Sequence, residues 1–215
     1  MTTTKRNISR LLNSAYCLIS MLYFASQNGW SQLTPLKNQN FTKIISSVTG
    51  DLNKDGILDQ VVVKEDTTAI TDPYQLEVYF GQVNGGFKWI LSATKAILSA
   101  YPNGKDGLNT GIQFSQVSIH NGVLWIETEM LRGHMEHKFR YQNVRFELIG
   151  FSYANVEHGI LQLIDYNLST GRRIEKECPI SSDTFKVKLD KTIKINPLPS
   201  LPDFEPLTSE FLFND

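Results

Sequence analysis

Phe114-Ser-Gln-Val-Ser-Ile-His120-Asn121-Gly122-Val123-Leu-Trp-Ile-Glu-Thr-Glu-Met130 decides the fold class of this chain. Asn-Gly between two runs of aromatic and β-branched residues is a strong short-range hairpin signal. On the second arm the residues Leu124, Ile126, Thr128 and Met130 recur at every second position, while Glu127 and Glu129 point the other way. That period of two belongs to a strand with one buried face.

The pattern continues outward in both directions. Phe139 and Tyr141 alternate with Lys138, Arg140 and Gln142, and Phe146 and Leu148 alternate with Arg145 and Glu147, the two runs meeting at Asn143. Strands are expected at 160–166 and 172–177 around a turn at 167–171, followed by a weaker pair at 185–189 and 192–195. Toward the N-terminus, 75–82 and 86–92 surround Val83-Asn84-Gly85, and 44–49 and 59–64 flank an acidic segment. Only 92–100 has helix-like composition (Ala93, Thr94, Lys95, Ala96, Ile97, Leu98), and it is short. The Gly- and Asn-rich stretch 101–111 reads as a loop. The prediction is an all-β, mainly antiparallel sandwich or open barrel built from consecutive hairpins, with one short helix at most.

The ends read differently from the middle. Lys5, Arg6 and Arg10 precede an apolar run from Leu11 to Phe24, followed by small residues at Gly29 and Ser31. This is the pattern of a secretory signal over 1–31. The run is shorter than the ~20 apolar residues of a membrane span and is broken by Asn13 and Ser14. Bulky Tyr16 before Cys17 argues against lipid attachment there. The organisation expected is signal 1–31, a β domain 32–196 and an extended Pro-rich tail 197–215 packing on the outside. The protein is then secreted, periplasmic or at the cell surface, with no integral membrane segment after cleavage.

Without 1–31 the chain carries 18 basic and 22 acidic residues, a net charge of −4. No clustered basic face marks it for nucleic acid. Only Cys178 remains outside the signal, so no internal disulfide is available. A chain of this size buries enough apolar surface to fold without one.

Asp51-Leu-Asn53-Lys-Asp55-Gly56-Ile57-Leu-Asp59 places oxygen-bearing side chains at alternate positions, with glycine where the backbone turns sharply. A hard cation such as Ca²⁺ takes six or more oxygens. Asp51, Asn53, Asp55, the Ile57 carbonyl and Asp59 supply them, with water or a second Asp59 oxygen completing the shell. Carboxylates this close repel one another without a cation. The start matches an EF-hand loop, but position twelve is Val62 rather than Glu, and the flanks are strands. The loop resembles the calcium loops of FG-GAP and VCBS-type segments, found in the integrin propeller and many secreted bacterial proteins. That resemblance covers about 25 residues and implies ligand roles for Asp51, Asn53, Asp55, Ile57 and Asp59. A propeller would need several similar blades, and no second copy of the loop is present. A wider likeness to functionally uncharacterised secreted bacterial proteins rests on the order of Gly50-Asp51-Leu52-Asn53, an Asn/Gly-rich middle loop, Asn121-Gly122-Val123-Leu124-Trp125-Ile126, and Phe139-Arg140-Tyr141 followed by Phe146-Glu147-Leu148-Ile149-Gly150.

Other residues allow other chemistry. His134-Met-Glu136-His137, with His158 and Glu157, holds ligand types for a transition metal, yet lacks the His-Glu-x-x-His spacing and falls at an expected hairpin end. Cys178 beside Pro179 reads as a strand-end thiol. Glu127, Glu129, Glu136 and Glu147 lie on neighbouring strands, where pairing with Lys138, Arg140 and Arg145 is the simpler account than a glycosidase pair. Trp89, Trp125, Tyr79, Tyr141 and Tyr153 are enough aromatics for a sugar platform. The reading is a non-enzymatic, calcium-binding envelope module with an unidentified envelope protein or glycan as partner. The alternative is a secreted glycan- or ester-directed hydrolase using the carboxylates or histidines of the 114–150 meander.

Overall fold

The computed structural model describes residues 39–208; the expected signal at 1–31 lies outside them. Strands β1 (Lys43–Gly50), β2 (Asp59–Glu65), β3 (Tyr74–Gly81) and β4 (Phe87–Ala93) form a four-stranded sheet in sequence order. A seven-stranded sheet follows, again in sequence order, from β5 (Gln113–His120) through β6 (Val123–Met130), β7 (Gly133–Gln142), β8 (Arg145–Glu157), β9 (Ile160–Asn167), β10 (Arg172–Pro179) and β11 (Lys186–Thr192). Every pairing is antiparallel and neither sheet closes on itself. The chain is all-β, and it is a sandwich of hairpins rather than a barrel.

The hairpin read from the sequence forms in register, with His120 opposite Val123 and Val117 opposite Ile126. Asn121 and Gly122 both take positive φ, 52° and 75°, the backbone that a twisted two-residue turn demands. The same turn recurs at His158-Gly159 and, less comfortably, at Asn143-Val144, where Val144 sits at φ 63°. A β-branched residue there is strained.

Alternation then builds one core. Val61, Val63, Leu76 and Val78 from the small sheet meet Val117, Leu124, Ile126, Phe139, Phe146 and Leu148 from the large one. Phe80 packs edge-on against Tyr141 across the sandwich, with ring centroids 4.9 Å apart. Where β1 passes β5 the backbone comes so close that a Cβ on Gly50 would lie 2.5 Å from Ile119 Cγ2.

The structure corrects four expectations. Residues 92–100 form no helix: β4 runs to Ala93 and bends follow, burying Ala96 and Ile97. The last strand is β11 alone, paired with β10 rather than with 192–195. His134-Met-Glu136-His137 does begin beside the Leu131-Arg132 turn of the β6–β7 hairpin, but it runs on inside β7 rather than forming a polar turn, so its side chains alternate and His137 is fully buried. The proline-rich tail does not stay outside. Leu148 N–H donates to Pro199 O and Leu201 N–H to Phe146 O, each at 2.9 Å, and Leu201 and Phe204 enter the core. Two large apolar side chains outweigh the turn-forming prolines around them.

Candidate cation loop and the open sheet face

The acidic loop joins β1 to β2. Its side-chain oxygens fold it. Asp51 accepts Lys54 N–H through Oδ1 at 2.7 Å and Gly56 N–H through Oδ2 at 3.0 Å. Asn53 Oδ1 accepts Asp55 N–H at 3.0 Å, and Asp55 Oδ1 accepts Ile57 N–H at 2.8 Å. These are successive Asx turns, in which a short side chain stands in for backbone acceptors. They need left-handed backbone at Lys54 (φ 66°) and Gly56 (φ 82°), which glycine takes freely.

Asp59 is set apart from the others by burial. Its carboxylate is fully enclosed, with Oδ2 accepting Leu52 N–H at 2.8 Å and Asn53 N–H at 3.3 Å, and Oδ1 accepting Gly81 N–H at 3.0 Å. Burial pushes the Asp59 carboxyl above its ordinary range, and the three N–H donors pull it back.

The loop passes the test of donor chemistry for a hard cation, since all its donors are oxygens. Each carboxylate oxygen carries two lone pairs, so Asp51 and Asp55 keep capacity beyond the bonds they make. Among the described residues, no Lys, Arg or His forms an ion pair with Asp51, Asp55 or Asp59. The Lys54 stem lies instead against the β5–β6 turn, 3.7 Å from where a Gly122 Cβ would stand. No group of three or more His, Cys, Asp and Glu side chains gathers for a metal among the described residues. A cation here would therefore depend on the neutral oxygens of Asn53 and Ile57 as well.

The outer face of the large sheet carries the other candidates. Glu127 stands opposite Glu136, and Glu129 opposite His134. Glu127, Glu136 and Glu147 are already committed. Glu127 accepts from Gln116 Nε2 at 2.8 Å and from Ser118 Oγ at 3.4 Å. Glu136 pairs with Lys138 at 3.2 Å, and Lys138 also lies 4.2 Å above the Trp125 ring. Glu147 is held below the ordinary carboxylate range by Gln142, Arg145 and Asn143, against the opposing effect of its burial.

His134, Ser152 and Asp165 share a groove of about 320 Å³ on this face. They are the residue types of a nucleophilic triad, which requires a hydrogen-bonded chain. Among the described residues no hydrogen bond joins them, and Ser152 Oγ accepts from the Lys138 ammonium at 2.8 Å. His158 is exposed and 3.8 Å from Glu157, on a turn away from His137. Cys178, at the end of β10, is free and buried, its thiol directed at Ser182 O. Of the five aromatics picked from the sequence, Trp89 is exposed on β4 and the others are divided between the two sheets.

The burial of His137 was not foreseen from the sequence. His137 is enclosed between Phe151 and Phe204, with centroid distances of 5.2 and 4.8 Å. Among the described residues, neither ring nitrogen has a hydrogen-bond partner. Burial alone lowers its pKa from 6.5 to about 3. Its signal was available, because His137 falls in phase with Met135 and Phe139.

Comparison with family models, curated proteins and solved structures returned no match. No helix among the described residues is long and apolar enough to cross a membrane.

Proposed function

We propose that this chain is an exported, non-enzymatic calcium-binding β protein, serving as a binding or structural module of the cell envelope. The observation that carries the reading is the 51–59 loop. Asp51, Asn53 and Asp55 hold consecutive Asx turns while their remaining lone pairs and the Ile57 carbonyl provide oxygen donors between two paired strands. Calcium supplies charge neutralisation there, and the chain orients the donors through its own N–H groups. Asp59 contributes from the buried side and clasps the loop to β3. The sheet face supports a binding role over hydrolysis, since Glu127, Glu136 and Ser152 are each satisfied by neighbours.

Two measurements test this. Calcium titration by calorimetry should give a saturable site that Asp55→Ala abolishes, and heat released equally by both proteins would overturn it. Intact mass of the exported form should place the N-terminus at or near Gln32; full-length chain in the soluble envelope fraction would refute export by cleavage.

A further inference from the structure

We propose that the cavity beneath the 101–111 loop is a binding site for a neutral saccharide. This deepens the reading of the chain as a binding module, at a place independent of the acidic loop. Glu65 pairs with Tyr74 at the far end of β2 from Asp59, so the cavity and the loop lie at opposite ends of the small sheet.

The cavity measures about 410 Å³, within the range of small-molecule sites. Tyr74 and Phe114 form one wall, with ring centroids 5.5 Å apart and planes tilted by 51°. Tyr101, 45% exposed, stands among the lining residues, where its ring offers a face to the C–H side of a sugar.

Amides supply the polar half. Asn103 commits Nδ2 to Leu108 O at 2.9 Å, and Asn109 commits Oδ1 to Gly111 N–H at 2.8 Å. Asn103 is left with an acceptor and Asn109 with a donor, which suits hydroxyl groups that both give and receive hydrogen bonds. The Tyr74 phenol is raised in pKa by its burial, then by the nearby Glu65, Asp72 and Tyr101; it remains a neutral O–H donor.

Charge selects the ligand class. The Lys105 ammonium is held 2.9 Å from buried Asp72 and donates to Thr67 O at 3.2 Å. Lys43 is held 2.6 Å from buried Glu65. Each cation near the cavity has its own carboxylate, so a phosphate or carboxylate ligand would have to break a pair. A neutral polyol breaks none.

The loop is also built before any ligand arrives. Ala100 and Tyr101 N–H groups donate to Asp72 O and Thr71 O, and the chain then turns through Gly104→Tyr101 and Gly107→Gly104 bonds of 2.9 Å. A Cβ on Gly107 would meet Asn103 O at 2.2 Å. Such preorganisation lowers the entropic cost of binding.

The test is calorimetry on the signal-free protein with diacetylchitobiose, cellobiose, maltotriose and mannobiose, and with glucose 6-phosphate as the anionic probe. At least one neutral probe should bind saturably with Kd between about 0.1 and 10 mM. Tyr101→Ala and Asn109→Ala should each weaken it about tenfold without moving the melting temperature. Asp55→Ala should bind the saccharide as well as the wild type does, even if it has no calcium response to lose. No binding by any neutral probe, undiminished binding by both cavity variants, or a preference for glucose 6-phosphate would overturn the assignment.

Discussion

Asp59 Oδ1 accepts the Gly81 amide at 3.0 Å, tying the first residue of β2 to the last residue of β3. The same carboxylate takes Leu52 and Asn53 N–H through its other oxygen. Contact is close because position 81 has no side chain; a Cβ would lie 2.3 Å from Leu58 O. One buried group thus holds three backbone donors from two parts of the small sheet.

Asp59→Ala should accordingly be among the more damaging changes in this sheet. It removes the acceptor of three N–H groups, two of them at 2.8 and 3.0 Å, in a buried setting. Leaving such donors unsatisfied costs about 1–3 kcal/mol each before relaxation and water entry, so a net loss of about 3 kcal/mol is expected. Asp59→Asn keeps one acceptor oxygen and should cost less. Urea unfolding of the three proteins measures this, and a shift under about 0.5 kcal/mol for Asp59→Ala would mean that the clasp is not needed.

Calcium should stabilise the fold measurably. Extracellular sites bind at about 10⁻⁴–10⁻³ M, so a few millimolar free calcium contributes about 1–2 kcal/mol by mass action. Chelation should lower the melting temperature by about 2–8 °C for a domain of this size. Asp55→Ala should melt at one temperature with calcium or chelator. A wild-type protein indifferent to chelation would reduce the loop to a turn.

Period-two patterning made most of the strands legible, because each strand buries one face and exposes the other. Asn121-Gly122 fixed a register on its own. What stayed hidden depended on distant partners. Residues 92–100 look helical by propensity, yet Ala96 and Ile97 are drawn into the core. Leu201 and Phe204 sit between prolines, where only the waiting space beside Phe139 and Phe146 explains their burial. The alternating oxygens of the acidic loop could be read directly, whereas the burial of Asp59 and its hold on Gly81 could not. The cavity under 101–111 was invisible because Tyr74 and Phe114 are brought together only by the packing of one sheet on the other.

Phe204→Ala tests whether the tail belongs to the core. The ring packs 5.3 Å from Phe139 and 4.8 Å from His137 and is nearly inaccessible. Truncating a buried phenylalanine costs about 3–5 kcal/mol. The loss should appear in urea unfolding, together with faster hydrogen exchange at Leu201 N–H, which is bonded to Phe146 O. An unchanged midpoint would show that the segment only rests on the sandwich.

His137 gives the fold a defined acid sensitivity. Its pKa falls from 6.5 to about 3 in the folded chain because the imidazole is buried, and among the described residues neither nitrogen has a partner to share a proton with. The unfolded chain takes up a proton at pH 6.5 and the folded chain does not. Stability from the neutral ring is therefore fully present above pH 6.5 and is lost as pH falls toward 3. The slope is about 1.4 kcal/mol per pH unit, or about 2 kcal/mol between pH 6.5 and 5. Carboxylates such as Glu147, Asp66 and Asp190, all held below their ordinary range, lose their contribution only at lower pH. His137→Phe, filling the same space between Phe151 and Phe204, should flatten the profile between pH 7.5 and 5 while leaving stability at pH 7.5 equal or higher. Parallel profiles for the two proteins would show that the imidazole gains a proton inside the folded core.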